Sequence, residues 1–120
     1  MALYEAEFYK KADGCEPAKE FIINTDLKMR AKIVRTISAL QDNGPALREP
    51  YSKHLEDGIF ELRAKVGTDI TRVLYFFYVG KKIILTNGFV KKTNKTPKTE
   101  IEKAKSYRLD YLDRMVNSDD

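Results

Sequence analysis

Apolar and polar positions alternate along four stretches of this chain and recur at helical spacing along three others. The order of the two patterns predicts β-α-α-β-β-β-α. Residues 3–10 set Leu3, Glu5, Glu7 and Tyr9 against Tyr4, Ala6, Phe8 and Lys10, the period of two expected of an edge or hairpin strand. Asp13-Gly14 turns the chain, and Pro17 suits the first position of a short helix whose apolar side carries Phe21 and Ile22. Thr25 or Asp26 can cap a second helix. Ile33, Ile37 and Leu40, flanked by Val34, form its stripe until Gly44-Pro45 stops it. The spacing predicts a helical hairpin laid on a sheet.

Residues 50–57 read as polar connecting chain containing Tyr51, Lys53 and His54. From Ile59 the texture becomes β: strands over 59–66, 70–79 and 82–90, with turns at Gly67-Thr68-Asp69 and Gly80-Lys81. Residues 73–79 are almost wholly apolar, as in a central strand covered on both faces. Thr96 and Pro97 suit the cap and first turn of a last helix running to about Met115, with Ile101, Ala104, Tyr111, Leu112 and Met115 facing inward. Residues 117–120 are expected to fray as a disordered tail. With no repeat, low-complexity tract or linker, residues 1–116 form a single domain. The expected class is α+β, helices on one face of a mostly antiparallel sheet.

Hydrophobic content of 42% beside 33% charged residues is ordinary for a folded soluble protein and separates no enzyme from a binding module. No apolar run approaches the ~20 residues of a membrane span, and the N-terminus lacks a signal-peptide layout, so the expected location is the cytoplasm. A lone Cys15 cannot form an internal disulfide, and with His54 as the single histidine no zinc set exists; neither a metal nor a cofactor is expected. Charge changes the picture more than composition does. From Ile59 to Lys98 nine cations stand against Glu61 and Asp69, a local net of +7 in a chain whose total is +4. Cations clustered this way on a strand-rich segment point to a polyphosphate partner, because they release condensed counterions when they neutralise a nucleic-acid backbone.

The strand period resolves that cluster. Phe60, Leu62, Ala64 and Val66 share one face of their strand, while Glu61, Arg63 and Lys65 project together from the other. Arg72, on the next strand, falls close to that stripe if the hairpin closes. Flanked by Ile70 and Leu74, it needs Glu61, Asp69 or an external anion as a partner. The loop Lys91-Lys92-Thr93-Asn94-Lys95-Thr96 follows from the third strand and reaches the same face. Arg63, Arg72, Lys91, Lys92 and Lys95 thus make a candidate cradle for a phosphodiester, in which arginine offers a planar fork and lysine a flexible point charge. Tyr51, Phe89 and Tyr78 are candidate stacking partners for bases of single-stranded RNA, although aromatics on such strands more often serve the core. No Gly-rich phosphate loop, catalytic triad or carboxylate cluster occurs. Metal-free RNA cleavage stays open, since RNA supplies its own 2′-OH nucleophile and the protein need only align it, stabilise charge and move two protons.

The segments Phe60-Glu61-Leu62-Arg63, Thr71-Arg72-Val73-Leu74-Tyr75-Phe76 and Gly88-Phe89-Val90-Lys91-Lys92-Thr93-Asn94-Lys95-Thr96-Pro97 together resemble the RelE/ParE toxin superfamily in its HigB-like, phage-derived branch. The resemblance covers nearly the whole chain. It implies a RelE-like fold and the toxin of a type II toxin–antitoxin pair, an endoribonuclease that cuts messenger RNA in the ribosomal A site, halts translation, and is neutralised by a cognate antitoxin. That antitoxin is expected to be a small helix-turn-helix DNA-binding protein held with the toxin in a hetero-oligomer. By position, Arg63 and Lys65 match the superfamily's cationic strand residues, Arg72 its next-strand arginine, and residues 91–95 its final basic stretch. The implied site places Arg63, Arg72, Lys92, Lys95 and Glu61 at the reacting phosphate, with Lys65, Lys91, Tyr51, His54 and Lys53 along the RNA. The tyrosine or histidine that some relatives carry after the last strand has no counterpart between Phe89 and Pro97. The proton-transfer group is therefore open among Glu61, Lys92, Lys95 and His54. A gyrase-inhibiting ParE-like toxin and a non-catalytic RNA-binding module are the alternative readings.

Overall fold

A computed structural model describes residues 2–118. Strand β1 (Glu5–Phe8) leads through helices α1 (Pro17–Ile23) and α2 (Leu27–Asn43) and a 3-10 turn (Gly44–Ala46) to β2 (Ser52–Glu56), β3 (Ile59–Val66), β4 (Asp69–Tyr78) and β5 (Lys82–Val90). Helix α3 (Lys98–Ser118) closes the chain. Asp26 caps α2 by accepting the Met29 amide at 2.8 Å, and Gly44, at φ 55°, ends it. The expected frayed tail is helical to Ser118; its last two positions lie outside the described residues.

The five strands lie in the order β1-β5-β4-β3-β2, with β1 parallel to β5 and every other pair antiparallel. Residues 52–56, which read as connecting chain in the sequence, form the edge strand β2. Its polar sequence hides the strand because an edge needs only one buried side: Ser52 alone of its five residues is buried.

Helices cover both faces of the sheet, not one. Ala18, Ile22, Met29, Ile33 and Leu40 of α1 and α2 pack on Leu62, Ala64, Val73, Tyr75, Ile83 and Leu85. Ala104 and Tyr111 of α3 pack on Ile59, Leu74, Phe76 and Ile84 on the opposite face. The apolar run of β4 demands this, since alternate residues point to opposite sides and each side must leave water. At Gly88 a Cβ would stand 2.4 Å from Phe21 Cδ2, so α1 reaches β5 through the absence of a side chain.

A bulge in β5 keeps its two faces in phase. Leu74 pairs with Asn87 and Tyr75 with Leu85, which leaves Thr86 as the extra residue. Thr86 Oγ1 donates to the Leu74 carbonyl at 3.1 Å, and Asn87 Nδ2 donates to Glu100 Oε1 at 3.0 Å, tying β5 to the first turn of α3. The far end of α3 is fastened by Tyr9, whose hydroxyl donates to Asp110 at 2.5 Å while its ring stacks on Tyr107. Burial and the Asp110 carboxylate push the Tyr9 phenol up to about 12. The neighbouring Arg114 guanidinium holds the Asp110 carboxyl below its usual range. No helix among the described residues is long and apolar enough to cross a membrane.

Candidate nucleic-acid interface

Strand β3 extends past its neighbour. Pairing with β2 stops at Ser52 opposite Leu62, after which the Arg63 amide donates to the Tyr51 carbonyl at 2.8 Å. Positions Glu61, Arg63 and Lys65 point to the side that α3 occupies. The helix packs over Ile59, Leu74 and Phe76 and leaves the end carrying Arg63, Lys65 and Arg72 without a helical cover. Arg63 and Arg72 are direct cross-strand partners.

At the floor lies a charged hub. Glu61 is fully buried and Arg72 is 2% exposed. One oxygen of the carboxylate, Oε1, accepts from Arg72 at 3.1 Å and from the Thr96 hydroxyl. The other, Oε2, accepts from Arg63 Nε at 2.7 Å and pairs with its terminal nitrogen at 2.7 Å. Arg72 also donates to Thr96 Oγ1 at 2.6 Å and to the Asn94 carbonyl at 3.2 Å, while its Nε, buried, has no partner. One anion thus joins β3, β4 and the loop before α3. The need of Arg72 for an anion is met from within, by Glu61; Asp69 is exposed.

Thr96 does not act as the cap of α3 that its place in the sequence suggests, because its hydroxyl belongs to this hub. The first helical bonds of α3 run instead from Glu100 and Ile101 to the Pro97 carbonyl, at 3.0 and 3.3 Å. Two other assignments shift. His54 stands edge-on to Phe60, ring centroids 4.9 Å apart, and its Nε2 accepts the Gly58 amide at 3.2 Å, so its one acceptor nitrogen is engaged in the β2–β3 turn. Tyr78 packs edge-on against Tyr111, and Phe89 is half-buried beside the same cluster, so both serve the α3 interface.

Two grooves flank the hub. The larger, of about 610 Å³, is walled by Lys32, Arg63, Lys65, Arg72 and Lys91 with Tyr51, Pro50, Gly67, Ile70 and Asn94, five cations and no carboxylate. The smaller, of about 360 Å³, shares Arg63, Arg72 and Asn94 and adds Lys53, His54, Glu56, Glu61, Lys95 and Thr96. Lys92 lines neither; it borders a hollow of about 250 Å³ with Thr68 and Ile70. Among the described residues, Lys32, Lys65 and Lys91 take part in no ion pair, so their charge is available to a ligand. Tyr51 is half exposed at the rim of the larger groove. Among the described residues no three His, Cys, Asp or Glu side chains converge as a metal site requires.

Lys32, Asn94 and Thr96 lie outside the set that strand period selects. Lys32 sits on the helix that packs against the other face of the sheet, and no strand period could bring it here. Asn94 acts through a backbone carbonyl, which carries no sequence signal.

The family model of phage-derived Gp49-like proteins (DUF891) matches residues 20–108, a span running from α1 through β2 to β5 and into α3. The chain belongs to the Gp49-like family. Gp49-like proteins are toxins of the RelE/ParE-like kind, the toxic halves of toxin–antitoxin pairs, so a cognate antitoxin is the partner that the family implies. No curated protein gives a significant match. Every residue that lines the Gp49-like chain's two grooves falls within the matched span.

Proposed function

We propose that this Gp49-like toxin is a HigB-type endoribonuclease that cuts messenger RNA on the ribosome by attack of the ribose 2′-OH on the adjacent phosphate. The observation that carries the reading is the larger groove, in which five cations and no carboxylate surround a half-exposed tyrosine. A site of that composition favours a phosphodiester over any neutral or cationic substrate. Arg63 is the arginine placed to touch the phosphate, because its side chain is 24% exposed while Arg72 is buried beneath it. Lys65 and Lys91 add charge from the strand and from the loop. They would offset the extra negative charge of the transition state.

Glu61 is assigned a positioning role. Both of its oxygens already hold donors, so it orients Arg63 and Arg72 and is not free to accept the 2′-OH proton. His54 lines the smaller groove, but its acceptor nitrogen is occupied by the Gly58 amide. The proton-moving groups beside the arginines are then the amino groups of Lys91 and Lys95, one in each groove. The antitoxin is proposed to be a small helix-turn-helix protein that covers this basic face or displaces α3.

The test is expression in growing cells with mapping of messenger RNA ends on polysomes. New 5′ ends within ribosome-bound messages, absent from an Arg63→Ala strain, are expected. DNA damage with intact messages would replace this reading by gyrase inhibition.

A further inference from the structure

The larger groove does not end at the sheet. Beyond Lys32 and Tyr51 it meets a second depression of about 370 Å³ on α2, for which these two residues are the shared wall and which the exposed Arg35 also lines. Lys32 and Arg35 stand three apart on α2, hence on neighbouring positions of one helix face. Neither takes part in an ion pair among the described residues, and no carboxylate lines either depression. Tyr51 is fixed between them, its carbonyl held by the Arg63 amide and its ring half exposed. The route passes over the part of β3 that β2 leaves uncovered.

We propose that Lys32 and Arg35 form a second RNA subsite, which holds the phosphates of the nucleotides next to the cleaved bond while Tyr51 stacks on the base between the two grooves. The proposal rests on the endoribonuclease reading and extends it from a single phosphate to a track of single-stranded RNA bent around the sheet edge. Cations without internal partners, spaced along a continuous depression and interrupted by one aromatic face, are the arrangement that single strands use. Both side chains lie on the outer part of α2, and alanine raises helix propensity there, so their removal leaves the fold intact.

The experiment measures fluorescence anisotropy of labelled oligoribonucleotides, a dinucleotide that fits the larger groove alone and an octanucleotide that spans both depressions, against salt. For Arg35→Ala, which lines the second depression and not the larger groove, octanucleotide affinity is expected to fall at least fivefold, the slope of log affinity against log salt to shrink by about 0.7 for one lost phosphate contact, and dinucleotide binding to change less than twofold, whereas Lys32→Ala, on the shared wall, weakens both probes. Arg35→Lys, which keeps the charge, should recover most of the octanucleotide affinity. If Arg35→Ala binds the octanucleotide as the parent does, while Arg63→Ala loses both probes, the second subsite is refuted and RNA binding in the larger groove stands. If the parent protein binds neither probe, the second subsite is refuted, while the endoribonuclease reading is decided by the polysome mapping.

Discussion

A carboxylate wholly out of water is tolerated only when its charge is neutralised and its lone pairs are filled, and Glu61 meets both conditions through Arg63, Arg72 and Thr96. Breaking such a pair by deleting one partner costs about 3–5 kcal/mol, against a total stability of about 5–15 kcal/mol for a domain of this kind. Arg72→Ala is accordingly expected to lower stability by that amount, measured by urea unfolding, and to abolish toxicity through a disordered floor. This departs from the sequence reading, which places Arg72 in the cradle as a phosphate contact. Arg63→Ala should behave differently. Its guanidinium lies partly in solvent, water can replace it at Glu61 Oε2, and the expected stability loss is about 1–2 kcal/mol with toxicity lost. Comparable unfolding midpoints for the two variants would contradict the assignment of Arg72 to the hub.

At the scale of elements, the packing of α1 on β5 is set by Gly88. A methyl there meets the Phe21 ring, so Gly88→Ala is expected to destabilise by about 1–3 kcal/mol in denaturant melts, the usual range for overpacking. A second substitution, Phe21→Leu, should recover part of it. Much of this layer was legible in the sequence. The limits of β3 and β5 and the terminating Gly44 followed from period and turn residues, and Asp26 was one of the two caps that the sequence offered for α2. What escaped did so for physical reasons. Strand β2 buries one residue of five and so shows no apolar alternation. The second helical layer was foreshadowed by a β4 run apolar on both sides, yet the side of the sheet that α3 takes is a tertiary choice that no local pattern encodes. In the site, Glu61, Arg63 and Arg72 were brought together by the period of two and the turn at Gly67-Thr68-Asp69. Lys32 and Asn94 arrive from a helix and a loop whose approach depends on the whole fold.

Over the whole molecule, two buried phenols tie stability to alkaline pH. Tyr75, 1% exposed and hydrogen-bonded to Ser52, is pushed by burial up to about 12, and Tyr9 reaches about 12 through burial and Asp110. Each holds its proton more tightly folded than unfolded, so the contribution is complete below the unfolded value near 10 and is lost as pH rises from there through about 12. Urea midpoints should therefore stay level up to about pH 9.5 and then decline, and a Tyr9→Phe/Tyr75→Phe variant should decline less steeply. A flat profile in the parent protein across that range would overturn the assignment.

The shared anion at Glu61 also bears on what an incoming substrate has to accomplish. An arginine side chain that is free in water gives up about 1.5–2 kcal/mol of rotamer freedom when it is fixed. Here the carboxylate restrains both guanidiniums before any ligand arrives, so that entropy is surrendered once, as the chain folds, and not again at every encounter. On the proposed endoribonuclease reading, each successive message meets the Arg63 fork already aimed, with Arg72 fixed beneath it.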